Sequence, residues 1–176
     1  MHTKIYTKNI EEIKKFTKKY KKIVIKPIHG YGGKNILFVN KIINQIKVLN
    51  YIKKFGHIMV QKFIPQVIKG DKRVFIINGL VKGAIQRVPR KGSFVSNLAQ
   101  GGKAIETKLN YKELKISQIV AKHLKKSQIF FAGIDLVSNY LIGDINVTSP
   151  TGLKNFKDLS GINLAKDFWN NLEKLK

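Results

Sequence analysis

The stretch RVFIINGLVKGAIQRV, residues 73–88, constrains the fold more than any other part of this chain. Two runs rich in β-branched and apolar residues flank Asn78-Gly79. A type I′ turn needs positive φ at both central positions, which Asn and Gly adopt most readily, so the pair predicts a tight antiparallel hairpin. FFAGIDLV and YLIGDINV, within residues 130–147, predict a second one.

Helical periods interrupt these strands. Residues 9–20 place Ile10, Ile13 and Phe16 three apart behind Asn9 and Glu12, which have capping-box spacing. An amphipathic helix is expected over 41–55 on Ile42, Ile43, Ile46, Leu49, Ile52 and Phe55. Further helices are expected over about 111–126 and 160–175, and strands over 22–28, ILFV at 36–39, and 58–63. Residues 89–103, PRKGSFVSNLAQGGK, are polar, glycine-bearing and aperiodic, which predicts a mobile loop. The sum is an α+β chain with mainly antiparallel sheets, dividing near residues 64–70.

With 176 residues the chain is long enough to bury a real core. No apolar run approaches the roughly 18 residues a membrane span needs, and the N-terminus lacks the apolar core of a signal peptide. The absence of cysteine excludes thiol nucleophiles, disulfides and cysteine-ligated zinc. A cytoplasmic protein is expected. The net charge of +24 invites a nucleic-acid reading, but the lysines run along the whole chain and no aromatic–basic ribonucleoprotein signature accompanies them. Compositional drift toward Lys, Ile and Asn accounts for the charge better. No specific nucleic acid is expected, although loose polyanion binding follows from such a charge.

Against that background the arginines stand out. Of 34 basic residues only Arg73, Arg87 and Arg90 are Arg, all within eighteen positions. Lys serves as a solvated charge but not as a planar, bidentate partner for phosphate or carboxylate, which marks Arg73 and Arg87 as site candidates.

Acids are scarce, ten in all, yet Asp144 sits in the apolar run LIGDINV two residues from Asn146. Residues i and i+2 of a strand share a face, and a hairpin turning at Asn139-Tyr140 sets Asp135 opposite Asp144. Two carboxylates so placed repel unless a cation lies between them, and three hard oxygens suit magnesium or manganese. The same spacing also describes two acids on a solvated hairpin face, and both readings stand at this point. Lys26 ends an apolar strand just before the glycine loop HGYGGKN, where backbone N–H groups and a cation suit phosphate oxygens. It is not a Walker A loop. Cations, a metal site and a covering loop together are equipment for phosphoryl transfer. The four scattered His (2, 29, 57 and 123) suggest no catalytic arrangement.

IVIKPIHGYGG, VQKFIPQVIKGDKRVFIING, NLAQGGK, FAGIDLV and DINVTSPTG occur in an order that resembles bacterial-type glutathione synthetase, an ATP-grasp ligase. The resemblance runs from residue 3 to the end, through LSGINLAKDFWNNLE. It implies two α+β subdomains, 1–67 and 68–176, clasping nucleotide, with residues 89–103 as a lid. It also implies magnesium-ATP-dependent joining of γ-glutamylcysteine to glycine through an acyl phosphate. Lys26 and the flap glycines Gly30, Gly32 and Gly33 match residues at the ATP phosphates. Gln61, Lys62, Phe63 and Ile64 match the strand beside adenine, and Asp71 joins the ATP-binding set. Arg73 and Arg87 match catalytic arginines, and Asp135, Asp144 and Asn146 match the metal ligands. Asn97, Ser149, Pro150 and Thr151 match positions near the peptide substrate.

There are departures. The chain begins where the family's central domain begins, so a separate chain carrying the N-terminal domain is one implied partner. Val95-Ser96-Asn97 stands where the family has Arg-Gly-Asn. Asp144 replaces Glu, and the interval from 135 to 144 is one residue longer than the pattern, which a bulge at Gly143 would absorb. The alternatives are a degenerate nucleotide-binding remnant and a basic polyanion-binding module.

Overall fold

A computed structural model describes residues 4–30, 33–93, 96–98, 101–137 and 140–174, with the backbone alone for 140–143. Gly32, an expected flap glycine, and Val95 lie outside the described residues. The chain separates into two compact units, Met1–Pro65 and Gln66–Lys176.

In the first unit a four-stranded antiparallel sheet has the order β1-β4-β2-β3, from β1 (Lys4–Thr7), β2 (Lys22–Pro27), β3 (Leu37–Asn40) and β4 (Ile58–Lys62). Helices α1 (Ile10–Tyr20) and α2 (Gln45–Phe55) supply Ile13, Phe16 and Val48 to its core. Ile23, Ile25, Val39, Ile58 and Val60 meet them from one face of the sheet. Ile13, Ile23, Ile25, Ile58 and Val60 are 0 % exposed, and full burial of each such side chain contributes roughly 1.5–3 kcal/mol. The Asn9 side chain caps α1 by accepting from the Glu11 N–H; the reciprocal box expected with Glu12 is not what holds this end. The described box lies instead at Asn110 and Glu113.

The second unit is a five-stranded antiparallel sheet of order β7-β6-β5-β8-β9. Its strands are β5 (Asp71–Ile77), β6 (Leu80–Val88), β7 (Lys103–Glu106), β8 (Phe131–Val137) and β9 (Tyr140–Asn146). Asn78 and Gly79, both at positive φ, join β5 to β6 as the sequence predicted. Alternate residues divide the sheet's duties. Val74, Ile76, Ala84, Ala132, Ile134 and Leu136 pack with Ala121 and Leu124 of α3 (Tyr111–Lys126). On the other face Phe75, Ile77 and Ile85 pack under Phe156 of α4 (Leu153–Ser160) and Leu164 of α5 (Leu164–Glu173).

The helix expected over 160–175 is α5, and α4 before it was not anticipated. Gly161, at φ +75°, ends α4, and Asn163 caps α5 by accepting from Lys166 N–H. Gly83 lies under α4 because a Cβ there would come within 2.5 Å of the Phe156 ring.

Candidate functional site

The second face of the five-stranded sheet changes character along its strands. Phe75 and Ile77 lie under the α4–α5 end, and two steps back along β5 the same face carries Arg73 and then Asp71. Cross-strand register sets Arg87 beside Asp71, and Asp135 beside Arg73. All four are buried.

The guanidinium of Arg87 donates from Nε to Asp71 Oδ1 at 2.6 Å and from Nη2 to Oδ2 at 2.8 Å. Arg73 meets Asp135 in the same fork, at 2.5 and 3.0 Å. A 2.7 Å contact from Arg87 Nη2 to Asp135 Oδ2 joins the two pairs. Burial alone would lower the Arg87 pKa, but the hydrogen bonds and charges of Asp71 and Asp135 outweigh it and raise it well above its ordinary range.

Glycine makes room for this arrangement twice. A Cβ on Gly70, which has φ +93°, would run into the Arg87 carbonyl, so the backbone can turn into β5 there only without a side chain. A Cβ on Gly133 would sit 2.8 Å from Arg73 Cδ and 3.2 Å from Pro150 Cβ. With that space open, Arg73 crosses β8 and donates from Nη1 to the Thr151 carbonyl at 3.3 Å.

Two arginines and two aspartates balance, and Asp144 then adds a third carboxyl. Gly133 pairs with Asn146 and Ile134 with Ile145, but Leu136 pairs with Leu141, so the register shifts at Asp135. Asp135 thus stands against residues 142–144, a larger irregularity than the one-residue bulge expected at Gly143. The inner part of the hairpin pairs Val137 with Tyr140 rather than turning at Asn139-Tyr140, because the irregularity absorbs two residues of β9. Asp144 is exposed, yet nearby protein strips part of its hydration. That desolvation, then the charge of Asp135 and a hydrogen bond between the two carboxyls, raise the Asp144 carboxyl above its ordinary value, with Arg73 and Arg87 opposing.

An acid pair in contact is what a divalent cation relieves, and the donor set is hard oxygen throughout. Among the described residues no group of three or more His, Asp and Glu side chains forms a metal site unaided. The expected ligands Asp135, Asp144 and Asn146 offer two carboxylates and one amide oxygen. Asn146 Oδ1 already accepts from Thr148 N–H at 3.2 Å and Ser149 N–H at 3.0 Å, shaping the turn through Ser149, Pro150 and Thr151. Gly152, at φ +109°, ends that turn against Phe75 and Ile85.

One residue of the 89–103 loop also reaches this cluster. Ser96, buried, donates from Oγ to Asp71 Oδ2 at 2.6 Å. Asn97 follows it, half-buried, and its carbonyl accepts from Gly102 N–H.

In the first unit, Lys26 and Gln61 lie on the sheet face away from α1 and α2, as diagonal neighbours, with Lys26 Nζ donating to Gln61 Oε1 at 3.1 Å. Phe38 shares that face, and the Phe63 ring meets it edge-on at 4.9 Å between centroids. Lys62 falls on the opposite face, its ammonium over the Tyr20 ring, so the sheet separates its side chain from Lys26. Ile64 is half-buried just beyond β4. Gly30 packs onto Pro27, where a Cβ would come within 2.8 Å, and Gly33 turns at φ +74°.

A sequence model of the family described as the prokaryotic glutathione synthetase ATP-grasp domain matches residues 1–161. The chain belongs to this family. It is 40 % identical over 159 residues to a glutathione synthetase of Prochlorococcus marinus subsp. pastoris, covering 89 % of this chain and 52 % of that protein. With the glutathione synthetase of Bradyrhizobium diazoefficiens the identity is 33 % over 181 residues, 96 % of this chain and 54 % of the relative. This glutathione synthetase ATP-grasp domain thus spans about half the length of the curated relatives it matches.

Its fold is that of the solved ATP-grasp ligase PsnB complexed with minimal precursor. The TM-score is 0.73 at 14 % identity, covering 98 % of this chain and 55 % of the other. D-alanyl-alanine synthetase A from Vibrio cholerae is similar at a TM-score of 0.59 and 13 % identity, over 82 % of this chain and 49 % of that one.

Sequence reasoning on this family member singled out Asp71, Arg73, Arg87, Asp135 and Asp144, and the structure brings all five to one end of one sheet face. It missed Ser96, whose only signal was a hydroxyl amid a glycine-rich loop. It also missed that Asp71 is the fixed partner of Arg87, which the hairpin register 71↔87 encodes.

Proposed function

We propose that this chain is the nucleotide-binding half of an ATP-dependent carboxylate–amine ligase that joins γ-glutamylcysteine to glycine. The observation that carries the reading is the buried Asp71–Arg87–Asp135–Arg73 network with Asp144 held against it, within a sequence of this family. Magnesium or manganese, when bound by Asp144 and Asp135 with Asn146 at the edge, would neutralise phosphate charge. The Asn146 amide oxygen would then exchange a turn bond for the ion.

The protein's own groups supply the rest. Asp71 and Asp135 hold two guanidinium planes rigid and cationic, so neither reorganises as charge develops on a substrate. Nη1 of Arg87 makes no bond among the described residues, which leaves a donor for a carboxylate or phosphoryl oxygen. Lys26, with Gly30 and Gly33, meets the ATP phosphates, and Gln61, Phe63 and Ile64 border the base. Thr151, Ser149, Pro150 and Asn97 face the peptide substrate. The remaining half of the relatives' length, carried on this polypeptide or on a separate chain, completes the peptide site. The setting is the cytoplasm.

The test is Asp144→Ala. Calorimetric affinity for ATP in the presence of magnesium should fall at least about tenfold, since the variant removes the carboxylate not committed to an arginine. Unchanged affinity would refute the metal assignment.

A further inference from the structure

We propose that Ser96 is the positioning residue of the 89–103 loop. By donating its hydroxyl to Asp71 it ties the course of that loop to the carboxylate that orients Arg87. The catalytic meaning of this latch rests on the ligase reading above; its existence does not.

Ser96 is 8 % exposed, and its bond to Asp71 is 2.6 Å long, the length of a hydroxyl bound to an ionised carboxylate. Asp71 is itself 8 % exposed and already grips Arg87 through both oxygens. The hydroxyl therefore enters a finished ion pair, and its one effect beyond that pair is on the segment that carries it. The segment is fixed again two residues later, where Leu98 packs beside the Phe75–Ile85 cluster. Gly102 N–H bonds the Asn97 carbonyl at 3.2 Å and Gly101 N–H the Leu98 carbonyl at 3.1 Å. A Cβ on Gly102 would collide with the Ser96 carbonyl, so the return strand closes directly over the anchor.

Asn97 thus stands between a polar pin and an apolar one. Removing the hydroxyl releases the polar pin and leaves the apolar one, a loss of register rather than of fold. Because Arg87 and Ser96 share one carboxylate, a ligand that draws on Arg87 also changes the hold on the loop.

Arginine scarcity provides the assay. The chain has three Arg; Arg73 and Arg87 are 3 % and 4 % exposed, while Arg90 is exposed within the loop. An arginine-specific protease acting on the folded chain therefore reads loop opening after Arg90, and cleavage after Arg73 or Arg87 reads unfolding. Ser96→Ala should speed cleavage after Arg90 about tenfold, the scale of one hydrogen bond to a charged group. Ser96→Thr, which keeps the hydroxyl, should cut within about twofold of the wild-type rate, and cleavage after Arg73 and Arg87 should stay slow in both.

A wild-type rate in Ser96→Ala, equal acceleration in both variants, or matching acceleration at all three arginines would overturn the latch. Where wild-type protein binds magnesium-ATP, Ser96→Ala should bind it several-fold more weakly and Ser96→Thr normally; equal binding by Ser96→Ala would overturn the positioning role. A loop response as expected with no nucleotide binding by wild-type protein would refute the ligase reading and leave the latch standing.

Discussion

At the residue scale, the account turns on charges that are buried together. Asp135 serves Arg73 and Arg87 at once, and the Arg73–Asp135 side chains are 4 % and 5 % exposed. Replacing it with Ala strands the buried Arg73 guanidinium and leaves Arg87 to Asp71 alone, and removing one partner of such a set costs about 3–5 kcal/mol. Urea denaturation of Asp135→Ala should show a loss of that size, whereas Asp158→Ala should show almost none. Asp158 pairs with Lys154, but their side chains are 52 % and 86 % exposed, and solvent screens such a pair. Tyr51 makes a separate prediction in the first unit. Its hydroxyl donates to the Asn35 carbonyl, and burial raises its pKa from 10.0 to about 12. The folded state thus holds the proton longer than the unfolded one, so this contribution to stability is whole below pH 10 and disappears as pH climbs toward 12. Tyr51→Phe should flatten the alkaline fall in melting temperature relative to wild type; an identical alkaline limb would contradict the assignment.

At the element scale, strands do the positioning and glycines give them clearance. Gly133→Ala on β8 would push a methyl into Arg73, which Asp135 and Thr151 prevent from yielding. A cost of about 1–3 kcal/mol, with weaker magnesium-ATP binding, is expected from chemical denaturation and calorimetry. The same scale shows what a sequence reveals. The 73–88 hairpin was legible because Asn78-Gly79 is a local device whose turn sets its own register, and α1 and α3 were legible from their apolar periods. In α2, which starts at Gln45, the expected face was partly wrong: Ile46 and Leu49 are exposed and Val48 is the buried residue. β1 and β7 are four-residue edge strands like β3, but KIYT and KAIE mix charged and polar residues where β3 follows the unbroken apolar run ILFV, so they carry too few alternations to register. α4 was missed because it starts at Gly152 with no side-chain cap, leaving nothing at its N-terminus to read. The site residues were legible by type, since Arg is rare among Lys and acids are rare altogether. Their partnerships were not, because 71↔87 and 73↔135 join residues 16 and 62 apart through register alone.

At the scale of the whole molecule, each unit has its own core, and the charge of +24 surrounds both. Such a charge attracts polyanions through counterion release, which salt reverses steeply. Binding to random-sequence DNA should therefore fall at least about tenfold between 50 and 200 mM salt and show no sequence preference, as gel-shift titration would reveal. A nucleotide site built on the buried Arg73 and Arg87 beside Asp144 should behave otherwise, because buried charges are screened far less. The most direct test is calorimetry of the wild-type chain with ATP, with and without magnesium, in salt that has already abolished DNA binding. Saturable one-to-one binding that requires magnesium is the predicted result. Heat that is indifferent to magnesium, or that vanishes with salt as the DNA signal does, would contradict the account.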